Sequence, residues 1–373
     1  MKIRYFDNAA TTRVYDEVIE EMIPYYREIY GNPSAIYELG KDAKKAIEFA
    51  RVQVAKLINC EPEEIFFTSG GSESDNMAIK GAAFANKRGH IITSKIEHSA
   101  VIHTCQNLEK KGFRVTYLNV DKDGIVDLNE LKRAIRPDTI LISIMFANNE
   151  IGTIEPVEEI AKIAKMYNIP FHTDAVQACG NVPIDVKKSG IDMLSLSGHK
   201  LHAPKGTGML YVRKGVKVEK FIDGGRQESD KRAGTENVPG IVGLGKACEL
   251  ARINLESNMR QMKELRDYYV HQVEENIKSA RLNGSRKVRL PGNANFSFRG
   301  ADGRGIVINL NKKGICASGG SACAAGSTKP SHVLTALGLP DELAKAAVRT
   351  TFGVDNTKED VDYLVQSLVE ILN

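Results

Sequence analysis

No stretch of the chain is apolar for anything near the ~20 residues that a membrane-spanning helix needs, so no membrane association is expected. The first residues, Met1-Lys2-Ile3-Arg4-Tyr5-Phe6, lack the apolar core of a signal peptide. Cysteine is scarce and scattered: six residues, at 60, 105, 179, 248, 316 and 323, with no CxxC pair. That spacing argues against a zinc site or any other metal, and against a disulfide framework; a reducing cytoplasm is the expected compartment. Neither sign of charge dominates, with 51 basic against 47 acidic residues and a net charge of +4. No basic stripe interleaved with aromatics is seen, so a nucleic-acid partner is not expected.

What the chain does have is length and alternation. Its 373 residues exceed the roughly 250–300 that one core usually serves, so a large and a smaller domain are expected. From Lys41 onward, short β-rich runs alternate with helix-period segments. Candidate strands are Ile65–Thr68, Ile91–Thr93, Val115–Leu118, Ile140–Met145, Ile169–His172, Met193–Leu196 and Gly208–Val212. Between them lie candidate helices such as Glu73–Ala85, Ser99–Lys111 and Val157–Tyr167. The pattern predicts an α/β fold with a mainly parallel sheet sandwiched by helices. A long helix, Ile241–Asn276, bridges to a second, smaller α+β domain. The expected division is an N-terminal arm, 1–14, belonging with the small domain; a large domain, 15–255; and a small domain, 256–373.

Ligands of such sheets bind beyond the strand C-termini, so the residues just after strands carry the information. Ser69-Gly70-Gly71-Ser72 leads into a helix, a geometry suited to phosphate, though the spacing is not that of a P-loop. Glu97-His98 follows the second strand; His98 suits acid/base work, a plate against a ring, or a purely structural role. Asn148-Asn149-Glu150 forms another polar turn. Asp174 is placed to pair with a cationic ring nitrogen or to cap a helix. Ser197-Gly198-His199-Lys200 ends a buried-looking strand and presents one lysine, which is either solvated or held to form a Schiff base with an aldehyde cofactor. Arg232–Asn237 is a polar segment containing Thr235. Finally, Ser318–Ser327 is a run of small residues around Cys323, poorly suited to a core and suited to carrying a usable thiol.

Taken together, SGGSESDN, EH, NNEIG, HTDAVQ, SGHKLHAPKG, RAGTEN and SGGSACAAGS, in this order, resemble the cysteine desulfurases of the nitrogen-fixation and iron–sulfur-cluster type. The resemblance runs from Phe6 to Gly353 and implies the class-V aminotransferase family with its pyridoxal 5'-phosphate fold type I. It implies Lys200 as the Schiff-base lysine, Asp174 on the pyridine nitrogen, Gln177 on the ring hydroxyl and His98 stacked on the ring as proton shuttle. Gly71, Ser72, Ser197 and His199 would hold the phosphate, and Thr235 would reach the phosphate of a partner subunit, making a homodimer. Asn149 would lie near ring and substrate. Arg349, assisted by Asn32, would clamp the carboxylate of L-cysteine. Cys323 would take the sulfur as a persulfide, releasing L-alanine, and pass it to an iron–sulfur scaffold protein or other acceptor, with a transient cluster-ligand role.

This sequence departs from the family pattern at Ala35-Ile36-Tyr37, where a histidine is common, and at Cys316, an extra thiol expected to be a packing residue. Alternative readings are a selenocysteine lyase or another pyridoxal-phosphate lyase, and a non-catalytic docking scaffold. Lys200, His98 and Cys323 together argue against the last.

Overall fold

The computed structural model describes residues 2–319 and 329–373; Cys323 lies outside the described residues. The main sheet has seven strands. In spatial order they are Ile65–Thr68, Gly208–Val212, Met193–Ser197, Phe171–Asp174, Thr139–Ser143, His90–Ser94 and Arg114–Leu118. All neighbours pair in parallel except the strand Gly208–Val212, which runs against both of its partners. Most of these strands are buried along their whole length, as expected where helices cover both faces.

Two expected boundaries moved for local reasons. The strand expected at Ile169–His172 is Phe171–Asp174. Asn168 turns left-handed at φ 56, the Ile169 N–H closes back on the Ala164 carbonyl at 3.0 Å, and Pro170 has no N–H for the ladder. The shift makes Asp174 the last strand residue. The helix expected from Glu73 starts at Gly71, which brings its first N–H groups to the strand end.

Helix Glu38–Ile58 buries Ala43, Ile47, Ala50, Val54 and Ile58, an i, i+4, i+7 stripe. It stops where Asn59 adopts the left-handed conformation. That stripe packs on the 39-residue helix Val238–Asn276. The approach is close because Gly245 faces Ala50; a Cβ there would sit 2.6 Å from the Ala50 Cα. The first half of the long helix buries Ile241, Leu244 and Cys248 in the core of the large sheet. Its second half buries Leu265, Tyr269 and Val273 in another core, with Phe296, Phe298, Phe352 and Leu364. This second core covers a three-stranded antiparallel sheet, ordered Ala347–Thr351, Asn293–Phe298, Ala280–Leu282. Residues Arg4–Tyr5 pair in parallel with Ile315–Cys316, and Phe6 is buried in the second core against Phe352.

A buried ion pair fastens the segment leading to Thr235 onto the sheet edge. Glu228 accepts from Arg51 Nη1 at 2.7 Å and Nη2 at 2.9 Å, and from the Phe67 N–H at 2.8 Å. Both side chains are buried. Glu228→Ala leaves the guanidinium the Ile65 carbonyl and the exposed Glu48 carboxylate, and breaking a buried pair costs about 3–5 kcal/mol. The expected result is a fall of about 3 kcal/mol in the denaturant unfolding free energy. An Arg51→Met/Glu228→Gln double variant should recover part of it, and an unchanged midpoint for Glu228→Ala would disprove the assignment.

Candidate active site

Five strands of the main sheet end at one edge, and a cavity of ≈ 520 Å³ opens there. Each turn that follows a strand contributes to its wall: Ser69–Ser72, His98, Met145–Asn149, Asp174–Gln177 and Ser197–Lys200. The N-terminal arm supplies Ala9, Ala10 and Thr11, and the strand Ala347–Thr351 supplies Arg349.

One end of the cavity is built for an anion. Gly70 adopts φ 150 and ψ −178, a region open essentially to glycine alone, and this turns the chain into helix Gly71–Asn86. A Cβ on Gly71 would press on Val176 Cγ2 at 2.7 Å, so the backbone itself forms the wall. The first-turn N–H groups have no acceptor within the helix. Ser197 stands against the same turn, its Oγ 3.6 Å from where a Gly70 Cβ would be, and Ser72, His199 and Lys205 also line the cavity. Glu73 also lies there, but its carboxylate is taken by Arg232 Nε at 2.8 Å and the Ser69 N–H at 2.9 Å. His199 Nδ1 contacts Thr11 Oγ1 at 3.1 Å, and burial, then Lys200, push its pKa down to about 4, so the imidazole is neutral.

The middle of the cavity holds Lys200, Asp174, His98 and Gln177. Lys200 Nζ donates to the carbonyls of Ala9 at 2.6 Å and Ala10 at 2.8 Å. Gln177 Nε2 donates to the same Ala9 carbonyl at 3.1 Å. Asp174 is buried and accepts the Val176 N–H at 2.9 Å. Burial raises its pKa, opposed by the charges of His98 and Lys200. A cation placed against this carboxylate would offset the burial penalty. His98 Nδ1 accepts the Ala100 N–H at 3.2 Å, which leaves the proton of the neutral ring on Nε2. Burial lowers its pKa, opposed by the Asp174 charge.

Two acids behind this group were given no role by the sequence. Asp75 is fully buried; burial first, then Asp174, raise its pKa well above the ordinary value. Glu97 accepts from Ser94 Oγ at 2.6 Å and the Met145 N–H at 3.0 Å. Burial still pushes its pKa up to about 8. Burial thus favours the protonated form of both, and a cation placed against Asp174 would favour its ionised form.

The third part of the cavity holds Arg349, with Asn149 beside it. Arg349 Nη1 donates to the Asn149 carbonyl at 3.0 Å and Nη2 to Asp7 Oδ1 at 2.8 Å. Not every expected residue converges. Asn32 is exposed, its Oδ1 accepts the Ser34 N–H at 2.9 Å, and it does not line the cavity. Thr235 is exposed and lines a neighbouring cavity that shares Ser69 and Gly206 with the first. Tyr37 is exposed, just before helix Glu38–Ile58. Cys316 is half-buried, its thiol pKa raised by burial and by Asp7. The other described cysteines, at 60, 105, 179 and 248, are buried with thiol pKa values raised by burial.

The Glu97 shift gives a signed pH dependence. Its folded pKa lies above the unfolded value of 4.5, so its stabilisation is full below pH 4.5 and is lost as pH rises through about 8. Glu155, likewise raised to about 8, adds the same sign. His90 and His199, lowered to about 4, act with the opposite sign, but only as pH falls below about 6.5. Unfolding free energy measured from pH 6.5 to 8 should therefore decline, by roughly 1 kcal/mol per unit for each acid. Glu97→Gln should flatten that slope by roughly 1 kcal/mol per pH unit, and an unaltered slope would refute a protonated Glu97.

The aminotransferase class-V family model matches residues 4–364. Among curated relatives, the cysteine desulfurase IscS of Methanosarcina thermophila is 57% identical over 373 residues, covering 100% of this chain and 92% of that protein. That of Dictyoglomus turgidum is 53% identical over 370 residues, covering 99% and 94%. Among solved structures, a NifS-like protein superposes with a TM-score of 0.94 at 42% identity, covering 100% of this chain and 99% of that one. SspA, solved in complex with cysteine, gives 0.84 at 40% identity, covering 94% and 99%. With its fold, its cavity and these relatives in agreement over the full length, the chain belongs to the class-V aminotransferases, in their cysteine desulfurase branch.

Proposed function

We propose that this protein removes sulfur from L-cysteine with pyridoxal 5'-phosphate, leaving L-alanine and a persulfide on Cys323. The observation that carries the reading is the joint placement of Lys200, Asp174, His98 and Arg349 around one cavity whose far end is a helix N-terminus. The residues present fit the cofactor. The anion end offers the first-turn N–H groups with Ser72, Ser197 and His199 for a phosphate. The buried Asp174 carboxylate suits a protonated ring nitrogen. When bound, the cofactor supplies an electron sink for the substrate Cα.

The chain's own groups do the rest. Lys200 would hold the cofactor aldehyde and yield to the substrate amine. Gln177, fixed by the Ala9 carbonyl, would orient the ring hydroxyl. His98 would give and retake a proton at Nε2. Arg349 would bind the substrate carboxylate, with Asn149 alongside. The Cys323 thiolate would attack the substrate sulfur: the C–S bond breaks, an S–S bond forms, and the carbon takes a proton on its way to alanine. The raised thiol pKa values of the described cysteines make them poor nucleophiles near neutral pH. The exposure of Thr235, outside its own chain's cavity, supports a role at the phosphate of a partner subunit and hence a homodimer. The division into an arm at 1–14, a large domain at 15–255 and a small one at 256–373 goes with this reading. So do delivery of the sulfur to an iron–sulfur scaffold or another acceptor, and a cytoplasmic site of action.

Two measurements test it. Purified protein loaded with pyridoxal phosphate should be yellow and take up label on borohydride reduction; Lys200→Ala should lose both the band and the label. Given cysteine and a reductant, the parent should form alanine and sulfide. Cys323→Ser should still show the spectral change of substrate binding but form no persulfide and little alanine, with Cys316→Ser close to the parent. Normal turnover by Cys323→Ser would remove the nucleophile from Cys323.

A further inference from the structure

The sequence leaves Asp7 as part of a turn-rich arm, yet its carboxylate makes two contacts in the cavity wall. Oδ1 accepts from Arg349 Nη2 at 2.8 Å, and Oδ2 accepts from Ser318 Oγ at 2.7 Å. Ser318 and Arg349 are also joined through their backbones, by Arg349 N to Ser318 O at 2.6 Å and Ser318 N to Arg349 O at 3.2 Å. The three residues thus close a ring of contacts. Asp7 cannot drift within it. Its backbone bridges to Thr351, its carbonyl accepts the Tyr5 hydroxyl at 3.1 Å and the Ala10 N–H at 2.9 Å, and Phe6 before it is fully buried.

The Arg349 side chain is 1% exposed. A buried guanidinium presents five donors in a fixed plane. Asp7 takes one and the Asn149 carbonyl another, on different nitrogens. That pins the plane and leaves other donors for a second carboxylate, including the buried Nε, which has no hydrogen-bond partner among the described residues. A bidentate pair depends on such orientation, and a long arginine held at one point alone would have to give up rotamer freedom on every binding event.

We propose that Asp7 is a positioning residue: it fixes the Arg349 guanidinium for the carboxylate of an amino-acid substrate, and Ser318 fixes Asp7. This rests on the reading of Arg349 as the carboxylate clamp of a cysteine desulfurase. It assigns no contact between Asp7 and the substrate.

The test uses the pyridoxal-phosphate-loaded enzyme and its Asp7→Ala, Asp7→Asn and Ser318→Ala variants. Each is titrated by absorbance with L-alanine and with ethylamine, which is alanine without its carboxylate, and assayed for KM and kcat on L-cysteine. Asp7→Ala should bind L-alanine about tenfold or more weakly, with ethylamine affinity within about twofold of the parent. KM for cysteine should rise in proportion, with kcat falling less. Asp7→Asn keeps an oxygen for Arg349 and an amide for Ser318, so it should return most of the affinity. Ser318→Ala should shift L-alanine alone, by about two- to threefold. Parent-like L-alanine binding by Asp7→Ala overturns the proposal, and so does an equal loss of both ligands, which marks general damage. If Asp7→Ala does not fold, Ser318→Ala decides: no carboxylate-selective loss overturns it. Absence of alanine and sulfide from the parent would instead sink the desulfurase reading. The contrast between L-alanine and ethylamine would still test Asp7.

Discussion

The N-terminal arm is the constraint on which the rest of the site depends. Within a few residues it is locked to both cores. Phe6 packs in the core of the three-stranded sheet, and Thr12 bonds the His199 carbonyl at the end of the large sheet. Between these anchors the backbone has little freedom, and its carbonyls at Ala9 and Ala10 receive Lys200 and Gln177. A lysine on a short strand-end turn has four rotatable bonds and much side-chain entropy to lose. Two fixed carbonyls define where its nitrogen rests. The arm therefore acts as a template laid across the strand ends, and the lysine's position depends on a segment some 190 residues away in sequence.

Charge is rationed at the same edge. Asp75, Glu97 and Asp174 lie close together in a region with little water. Three ionised carboxylates there would repel one another strongly. Burial eases the conflict by favouring the protonated forms, raising the pKa of all three and that of Glu97 to about 8. Asp174 has the Val176 N–H and the nearby His98 and Lys200 in its favour. A neutral His199 lies at the same edge. A protonated ring nitrogen set against Asp174 would favour the ionised form of that carboxylate.

The strand-end residues were legible in the sequence because the alternation of elements already places them. Once Ile65–Thr68 and Met193–Leu196 read as strands, Ser72 and Lys200 have to lie at one edge. Lines of that kind do not reach Asp7, Asp75 or Glu97. An acid's role depends on what the fold brings against it, and nothing in Asp7-Asn8-Ala9 announces an arginine more than 340 residues later. Asp75 reads as an ordinary polar residue on a helix until burial is known. Asn32 shows the converse: it has a suitable side chain in a polar turn, yet it stands outside this chain's cavity. The Asp174 strand was misplaced by two residues because Pro170 and the left-handed Asn168 delay its start.

Rigidity at the substrate end comes from a turn built on one asparagine. Asn148 Oδ1 accepts the N–H groups of Glu150 at 2.8 Å and Ile151 at 3.0 Å, and its Nδ2 reaches the Ile96 carbonyl at 2.8 Å. From the other core, Asn295 Nδ2 donates to the Glu150 carbonyl at 3.2 Å; Ser331, capping a short helix packed on Ile96, Met145 and Ile151, donates from Oγ to the Glu150 carboxylate at 2.6 Å. Asn149 is thus carried on a turn fixed from both sides, with its carbonyl on Arg349. Moving the two cores apart would break the Asn295 contact and carry Arg349 away from Asn149 in the same step. The carboxylate site is therefore defined only when both cores are docked. This explains why so many of the contacts that shape it are backbone carbonyls and short polar side chains, which tolerate little change in distance.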